Sequence, residues 1–502
     1  MQQIFILGDQ LNRWVGPLAS ADPAQTIVLL IESVDHGRRY PFHKQKLALL
    51  YSAMRHFRDE LIEAGFQVRY RQVDRFETGL AEHFAEFPGA HLTLMEPADW
   101  GIAERLQSAA SSLGGNITLV PNAFWLSTKA DWDAYANGKK QLRMEYFYRE
   151  MRRKTGWLVV DGQPVGGKWN YDSENRATPE PDHQFPPRQL FPPDELTQTT
   201  IDWVEVTFPN HYGSTVGFNW PVTRAQAREL LEHFLETRLT LFGPYEDAMV
   251  QREHVLYHSL LSAALNLGLL TAREVCETAL TYEPQVPLAS LEGFIRQILG
   301  WREFMYHIYR SKMPDFRNEN RLNHHVPLPD FYWTGTTNMN CVAQSVQQLL
   351  ETGHTHHIQR LMVLGNFALL AGVSPQELND WFLTMYVDAY DWVVSPNVLG
   401  MSQYADLGSF TSKPYISGAA YINRMSDYCD SCVYNPNQTV GETACPFASL
   451  YWDFLERHAP LLKQNQRMSM IVHGWLKRKS ADRQVILEQA IMVKQRLARG
   501  EV

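Results

Sequence analysis

The run IVLLI at 27–31, the segment KLALLYSAMRHFRDELIEAG at 46–65 and the short VRY at 68–70 decide the fold of the first part of the chain. Five consecutive apolar residues bounded by polar ones read as a buried strand. In the longer segment Leu47, Leu50, Met54, Phe57 and Leu61 recur at three- and four-residue steps, the period of an amphipathic helix, and Gly65 closes it. Strand, helix, strand in that order requires right-handed crossovers and gives a parallel, doubly wound sheet. Working outward, IFIL at 4–7, Leu92–Leu94 and Ile117–Val120 supply further strands, so residues 1–125 form an α/β domain. Its ligand crevice should lie beyond the C-terminal ends of the strands, where GDQL (8–11) and IES (31–33) sit. Neither is a G-x-G-x-x-G fingerprint, which disfavours a dinucleotide there.

Residues 126–240 break into Pro- and Gly-rich pieces, including VDGQPVGGKWNYDSENRATPEPDHQFPPRQLFPP, and read as an interdomain connection with linking helices. Trp169, Asn170 and Tyr171 within it suggest a connection packed on the surface. From 241 to 502 nearly everything has helical periodicity, as in EGFIRQILGWREFMYHIYR at 292–310, HHIQRLMVLGNFALLAG at 356–372 and DRQVILEQAIMVKQRLARG at 482–500. With 502 residues, 45% of them hydrophobic and 20% charged, the chain suits a folded protein of about two to four domains. No apolar run reaches the roughly 18 to 20 residues of a membrane span, and no secretory signal is visible at MQQIFILGDQ, so residence in the cytoplasm is expected. The net charge of −9 excludes a uniformly positive surface, so any nucleic acid must meet a local basic patch.

Five cysteines are too few and too odd in number for an extracellular disulfide framework. Cys429 and Cys432 form C-x2-C, Cys445 follows before a proline, and Cys341 lies upstream, leaving Cys276 over. A C-x2-C turn brings two thiolates to one metal. Four thiolates suit an iron–sulfur cubane or tetrahedral zinc, while the remaining reading is of small buried hydrophobes.

At MEYFYREMRRKTG (144–156), PVGGKWNYDSENR (164–176), EGFIRQILGWREF (292–304), FYWTG (331–335), HHIQRLM (356–362), GNFALLAG (365–372) and YINRMSDYCDSC (421–432) the chain resembles the iron–sulfur bacterial branch of the photolyase/cryptochrome family, the branch of the prokaryotic (6-4) photolyases. The resemblance covers nearly the whole chain. It implies a Rossmann-like antenna domain followed by an all-α domain that holds FAD, with a [4Fe-4S] cluster on Cys341, Cys429, Cys432 and Cys445. It further implies a 6,7-dimethyl-8-ribityllumazine antenna near Gly8, Asp9, Gln10 and Glu32, although His36 and Arg39 differ from relatives. Ser259 and Ser262 resemble the family's phosphate-binding turn, where hydroxyls and helix N–H groups suit a pyrophosphate. Arg296, Trp301 and Glu303 become candidates for the flavin- and DNA-facing wall, and Asp388, Asp391 and Asn397 for contacts to the flavin itself.

His357 falls on the family's catalytic position beside His356; four residues on, where eukaryotic (6-4) enzymes carry another histidine, this chain has Leu361. Histidine moves a proton near neutral pH without heavy tuning. Two helical neighbours point about 100° apart, so His356 and His357 are not expected to face one pocket. Tyr415 and Tyr421 resemble pocket tyrosines of this branch. Trp381 and Trp333 match its electron relay, while Phe382 stands where some relatives have a redox-active tyrosine. Lys168, Lys477, Arg478, Lys479 and Arg483 are candidate phosphate contacts. The expected function is light-driven repair of pyrimidine-(6-4)-pyrimidone lesions in UV-damaged DNA, by a protein expected to act as a monomer. A cryptochrome-type photoreceptor is the alternative. A nucleic-acid binding module resembling the iron–sulfur domain of primase large subunits leaves the first domain and both tryptophans unused.

Overall fold

The computed structural model describes every residue except Asn175. The first domain is a five-stranded sheet in the order β3-β2-β1-β4-β5, with β1 Gln2–Ile6, β2 Thr26–Ser33, β3 Gln67–Val73, β4 His91–Met95 and β5 Asn116–Val120. All neighbours are parallel, with Ile4 opposite Val28 and Thr93. Alternate residues of one strand feed two cores. Ile4 and Ile6 pack with Leu47, Tyr51 and Met54 of the helix Lys44–Glu63, whereas Phe5 packs on the other face with Leu80, Phe84 and Leu106. Each such side chain contributes about 1.5–3 kcal/mol on burial. β2 is buried along its whole length, which is why it reads as a continuous apolar run.

The connection after β5 is more structured than its composition suggests. The helix Met144–Thr155 packs on the helical domain. Its buried Arg152 donates to the carbonyls of Trp157, Leu158 and Trp169, and Tyr171 donates its N–H to Glu292 at 3.0 Å. The helix Glu195–Thr207 returns to pack on Lys44–Glu63. A second core unites the later helices. Three of them run through wider π-helical turns at Arg296–Arg302, Gln359–Gly365 and Pro396–Ser402, a local geometry frequent at functional sites.

The two domains meet at the strand ends. Leu11 donates its N–H to Leu267 at 2.9 Å, and a Cβ on Gly268, whose φ is +82°, would stand 3.0 Å from the Leu11 nitrogen. Trp392 donates its N–H to Asp99 at 2.9 Å, and Trp100 to the Tyr309 hydroxyl at 2.8 Å. Among the described residues no helix is long and apolar enough to cross a membrane.

Candidate active site

Four of the five cysteines line one recess. Cys341 begins the helix Asn340–Thr352, Cys445 is the N-cap of Pro446–Arg457, and Cys429 and Cys432 share a turn in which the Cys432 N–H donates to the Cys429 carbonyl at 3.3 Å. Burial pushes the Cys341 thiol far up, and the nearness of Cys445, Cys429 and Cys432 pushes it further. Thiols gathered in one recess, which would repel one another once ionised, are a donor set that fits a metal or cluster. Cys276 lies fully buried in the other core, away from this recess.

The paired histidines form one cluster with His258. His356 precedes the helix and His357 opens it. The His356 ring stacks on His258 at 4.6 Å and the His357 ring meets His258 edge-on at 5.6 Å, so both histidines converge on His258. This corrects the expectation of divergence, because the 100° step applies between two helical residues and His356 is not helical. The His357 side chain is 46% accessible, the open member of the cluster, whereas His356 is buried. Its Nε2 lies 3.4 Å from Asp247, a long contact. Burial opposes the imidazolium, but that contact and the Glu246 and Asp247 charges outweigh it and raise the His357 pKa. Burial lowers His354 to about 3 and drives His258 and His356 well down, so all three are neutral. Buried Nε2 atoms of His258 and His356 have no partner among the described residues, a polar requirement that a bound ligand would meet.

Asp388 is tied to the histidine turn through Arg360, which donates to the Thr355 carbonyl at 2.7 Å. Arg360 grips it through two 3.0 Å bonds and Ser262 donates to it at 2.7 Å. Burial would raise this carboxyl, yet Arg360, His354 and Ser262 hold it at about 2. Ser262 is thus already engaged, while Ser259 is half-buried nearby in sequence. Asp391 points elsewhere, accepting from Tyr309 at 2.6 Å and Ser395 at 2.8 Å and pairing with Arg317. Asn397 donates to the Val393 carbonyl of its own helix at 2.8 Å. Arg296 pairs with Glu292 at 3.4 Å and Asp172 at 3.3 Å. Glu303 accepts through Oε2 from the N–H groups of Leu126 and Ser127 and the Ser127 hydroxyl, which ties down the connection after β5, while its buried Oε1 has no partner among the described residues.

An aromatic path leads away from the Arg360–Asp388 pair. The Arg360 guanidinium lies 4.1 Å over Tyr386, whose ring meets Trp381 edge-on at 5.9 Å. Trp381 is fully buried and donates its indole N–H to the Tyr332 carbonyl at 2.9 Å. The next residue, Trp333, is half-buried and stacks on Tyr212 at 4.6 Å.

At the strand ends Asp9, Lys46, Asp99 and Tyr390, all half-buried, lie near one another. Burial raises Asp9 to about 6 and Asp99 to about 7, and lowers Lys46 to about 7. Nearby, Arg302 lies 4.6 Å over Trp125 and 4.7 Å over Trp392, and the Trp125 indole N–H and Arg302 Nε lack partners among the described residues. Such a mixture of flat rings and unmet donors fits a polar heteroaromatic ligand. The other expected antenna contacts are used structurally. Glu32 is engaged by Arg55, Tyr70 and Gln72, Gln10 donates to the Met95 carbonyl at 2.9 Å, and a Cβ on Gly8 would stand 2.9 Å from Leu50.

Several expected phosphate contacts are also committed. Arg483 binds Glu456 through two 2.7 Å contacts, Arg478 lies 4.2 Å over Trp452, and Lys168 pairs with Glu174 at 3.2 Å. Lys477 and Lys479 are exposed. Tyr421 lies near Asp247 and Tyr415 near Arg467 and Arg143, so both tyrosines have charged neighbours. Sequence reading missed Asp247, His258, Arg360, Tyr386 and Tyr212. Arg360 alone carried a local signal, lying in the quoted HHIQRLM.

A family model described as deoxyribodipyrimidine photo-lyase-related protein matches residues 4–220. Over 482 residues the chain is 43% identical to a (6-4) photolyase of Agrobacterium fabrum, covering 94% of this chain and 95% of that protein. A bacterial class III photolyase from Agrobacterium tumefaciens superposes with a TM-score of 0.60 at 16% identity, over 99% of this chain and 96% of that one. An archaeal photolyase from Sulfolobus tokodaii, solved with two FAD molecules, gives 0.52 at 16% identity, over 99% and 100%. These two likenesses bear on the fold.

Proposed function

The chain belongs to the photolyase family of enzymes, and from that footing we propose that it repairs pyrimidine-(6-4)-pyrimidone photoproducts in UV-damaged DNA by light. The carrying observation is geometric: His357 is the open member of a histidine cluster, with its Nε2 3.4 Å from Asp247 and with His258 and His356 stacked beside it. An accessible imidazole whose charged form a neighbouring carboxylate favours is what a general acid requires. Photolyases are among the enzymes that take a base out of the stack, and the lesion is proposed to meet His357.

FAD bound against Ser259, Ser262, Arg360 and Asp388 would supply the light-driven electron. His357 holds the proton, Asp247 keeps it charged, and neutral His356 and His258 pack behind it. Trp381, Trp333 and Tyr212 form the path proposed to refill the site with electrons from the surface. Cys341, Cys429, Cys432 and Cys445 are proposed to hold a [4Fe-4S] cluster, and the Asp9, Lys46 and Asp99 site a ribityllumazine antenna.

The test is illumination of the reduced protein with an oligonucleotide carrying one (6-4) lesion. Recovery of intact pyrimidines supports the proposal. Repair of a cyclobutane dimer alone would reassign the substrate, and repair of neither would favour the photoreceptor alternative.

A further inference from the structure

With Arg478 and Arg483 committed elsewhere, unpaired positive charge gathers around an open recess of about 490 Å3 between the start of Met144–Thr155 and the segments 404–412 and 461–467. No carboxylate lines it. Arg143 and Arg467 do, together with the amides of Gln141, Gln464 and Asn465. Arg143 is held by its own neighbours, donating to the Leu142 carbonyl at 3.1 Å and to Gln141 at 2.6 Å, and it has no acidic partner among the described residues. Nor do Arg467 and Lys413 have an ion pair there, although Arg467 lies close enough to both other cations to disfavour their charge. In a chain of net charge −9 with 55 acidic residues, two arginines lining one recess without an ion-pair partner, with Lys413 beside Arg467, are an arrangement that an anion would complete.

An independent observation points the same way. The backbone lining the recess is held in an unusual form, with Tyr404 at φ 52° and Leu407 at φ 58°, strain that concentrates at ligand clamps.

Tyrosines and charged groups lie between the recess and His357. Tyr415 is within the influence of Arg143, Arg467 and Asp172, Lys413 within that of Arg467 and Arg176, and Tyr421 within that of Arg176 and Asp247. Asp247 in turn contacts His357. We propose that the recess lined by Arg143 and Arg467, with Lys413 beside it, binds the phosphodiester backbone of DNA, holding the strand whose damaged bases reach His357. The amides of Gln141, Gln464 and Asn465 donate to phosphate oxygens without reading sequence, so the site contributes affinity rather than specificity. This inference rests on the repair reading.

It is tested by fluorescence anisotropy of a duplex with one (6-4) lesion across a salt series, using the flavin-loaded full chain. Arg467→Ala and Lys413→Ala should each weaken binding severalfold for damaged and undamaged DNA alike. Each should also lower the log–log salt slope by about 1, the signature of one lost phosphate contact. Lys477→Ala, outside the recess, should leave the slope unchanged. Arg467 is exposed, so its truncation does not threaten folding, and flavin absorbance with a thermal melt checks both variants. Wild-type protein that binds no lesion DNA would overturn the repair reading itself. Salt-dependent wild-type binding with undiminished slopes in both variants would overturn the recess alone.

Discussion

The side-chain amide of Gln359 donates to the Tyr428 hydroxyl at 2.9 Å, and so ties the turn that carries His356 and His357 to the residue preceding Cys429. The same amide donates to Gln348 at 2.8 Å, and its oxygen accepts the His356 N–H at 3.0 Å. One buried side chain thus links the cysteine recess to the histidines.

Replacing it should disturb both. Gln359→Leu leaves the His356 N–H, the Tyr428 hydroxyl and the Gln348 oxygen without this partner, at about 1–3 kcal/mol for each group left unsatisfied. The melting temperature should fall, and repair should fall further than Tyr428→Phe lowers it. An unchanged melt would show that the link carries no stability.

The cysteine recess makes an analytical prediction. Protein purified without oxygen should contain four iron atoms per chain, an expectation from cubane chemistry of roughly one iron per thiolate. Cys445→Ala should be iron-depleted and poorly soluble, whereas Cys276→Ala should keep its iron. Stoichiometric zinc without iron would contradict the cluster.

Much of this was legible in the sequence because it rests on short-range pattern. The five strands follow from apolar runs, the helix Lys44–Glu63 from its spacing, and the cysteine quartet from C-x2-C and Cys-Pro. What escaped depends on partners brought in by packing. Nothing near Glu303 in the chain announces that Ser127 will bind it, and Glu32 is claimed by Arg55 across the sheet-to-helix interface. Arg483 looks like a free cation until Glu456 folds against it. Asp247 has no local mark of its role, since it meets His357 only in the folded chain.

The histidine gives a pH prediction with a definite sign. The folded pKa of His357 is raised above its ordinary 6.5, so the charged form and the stability it contributes are present below about 6.5 and are lost as pH rises through the folded value. Repair should decline on the alkaline side of that pKa. Asp247→Asn removes the partner that raises it and should shift the decline to lower pH. Glu246 and Arg360 remain beside the ring, so the shift is partial. A profile unmoved by Asp247→Asn would remove Asp247 from this role.

The aromatic path predicts a graded series. Under blue light with a thiol reductant, Trp381→Phe should slow flavin photoreduction by an order of magnitude or more, and Trp333→Phe nearly as much. Tyr212→Phe should preserve the first electron step and shorten the lifetime of the separated charge, because Tyr212 stacks beyond Trp333. Full-rate photoreduction in Trp381→Phe would rule out this path.

The most direct measurement concerns His357 itself. Wild-type and His357→Ala proteins, matched for FAD content and reduced to the same extent, are illuminated with an oligonucleotide carrying a single (6-4) lesion, and intact pyrimidines are counted per chain. The wild type should restore the bases, and the variant should restore none while its photoreduction through Trp381 and Trp333 stays near normal. Undiminished (6-4) repair by His357→Ala would contradict the assignment of this histidine as the proton donor.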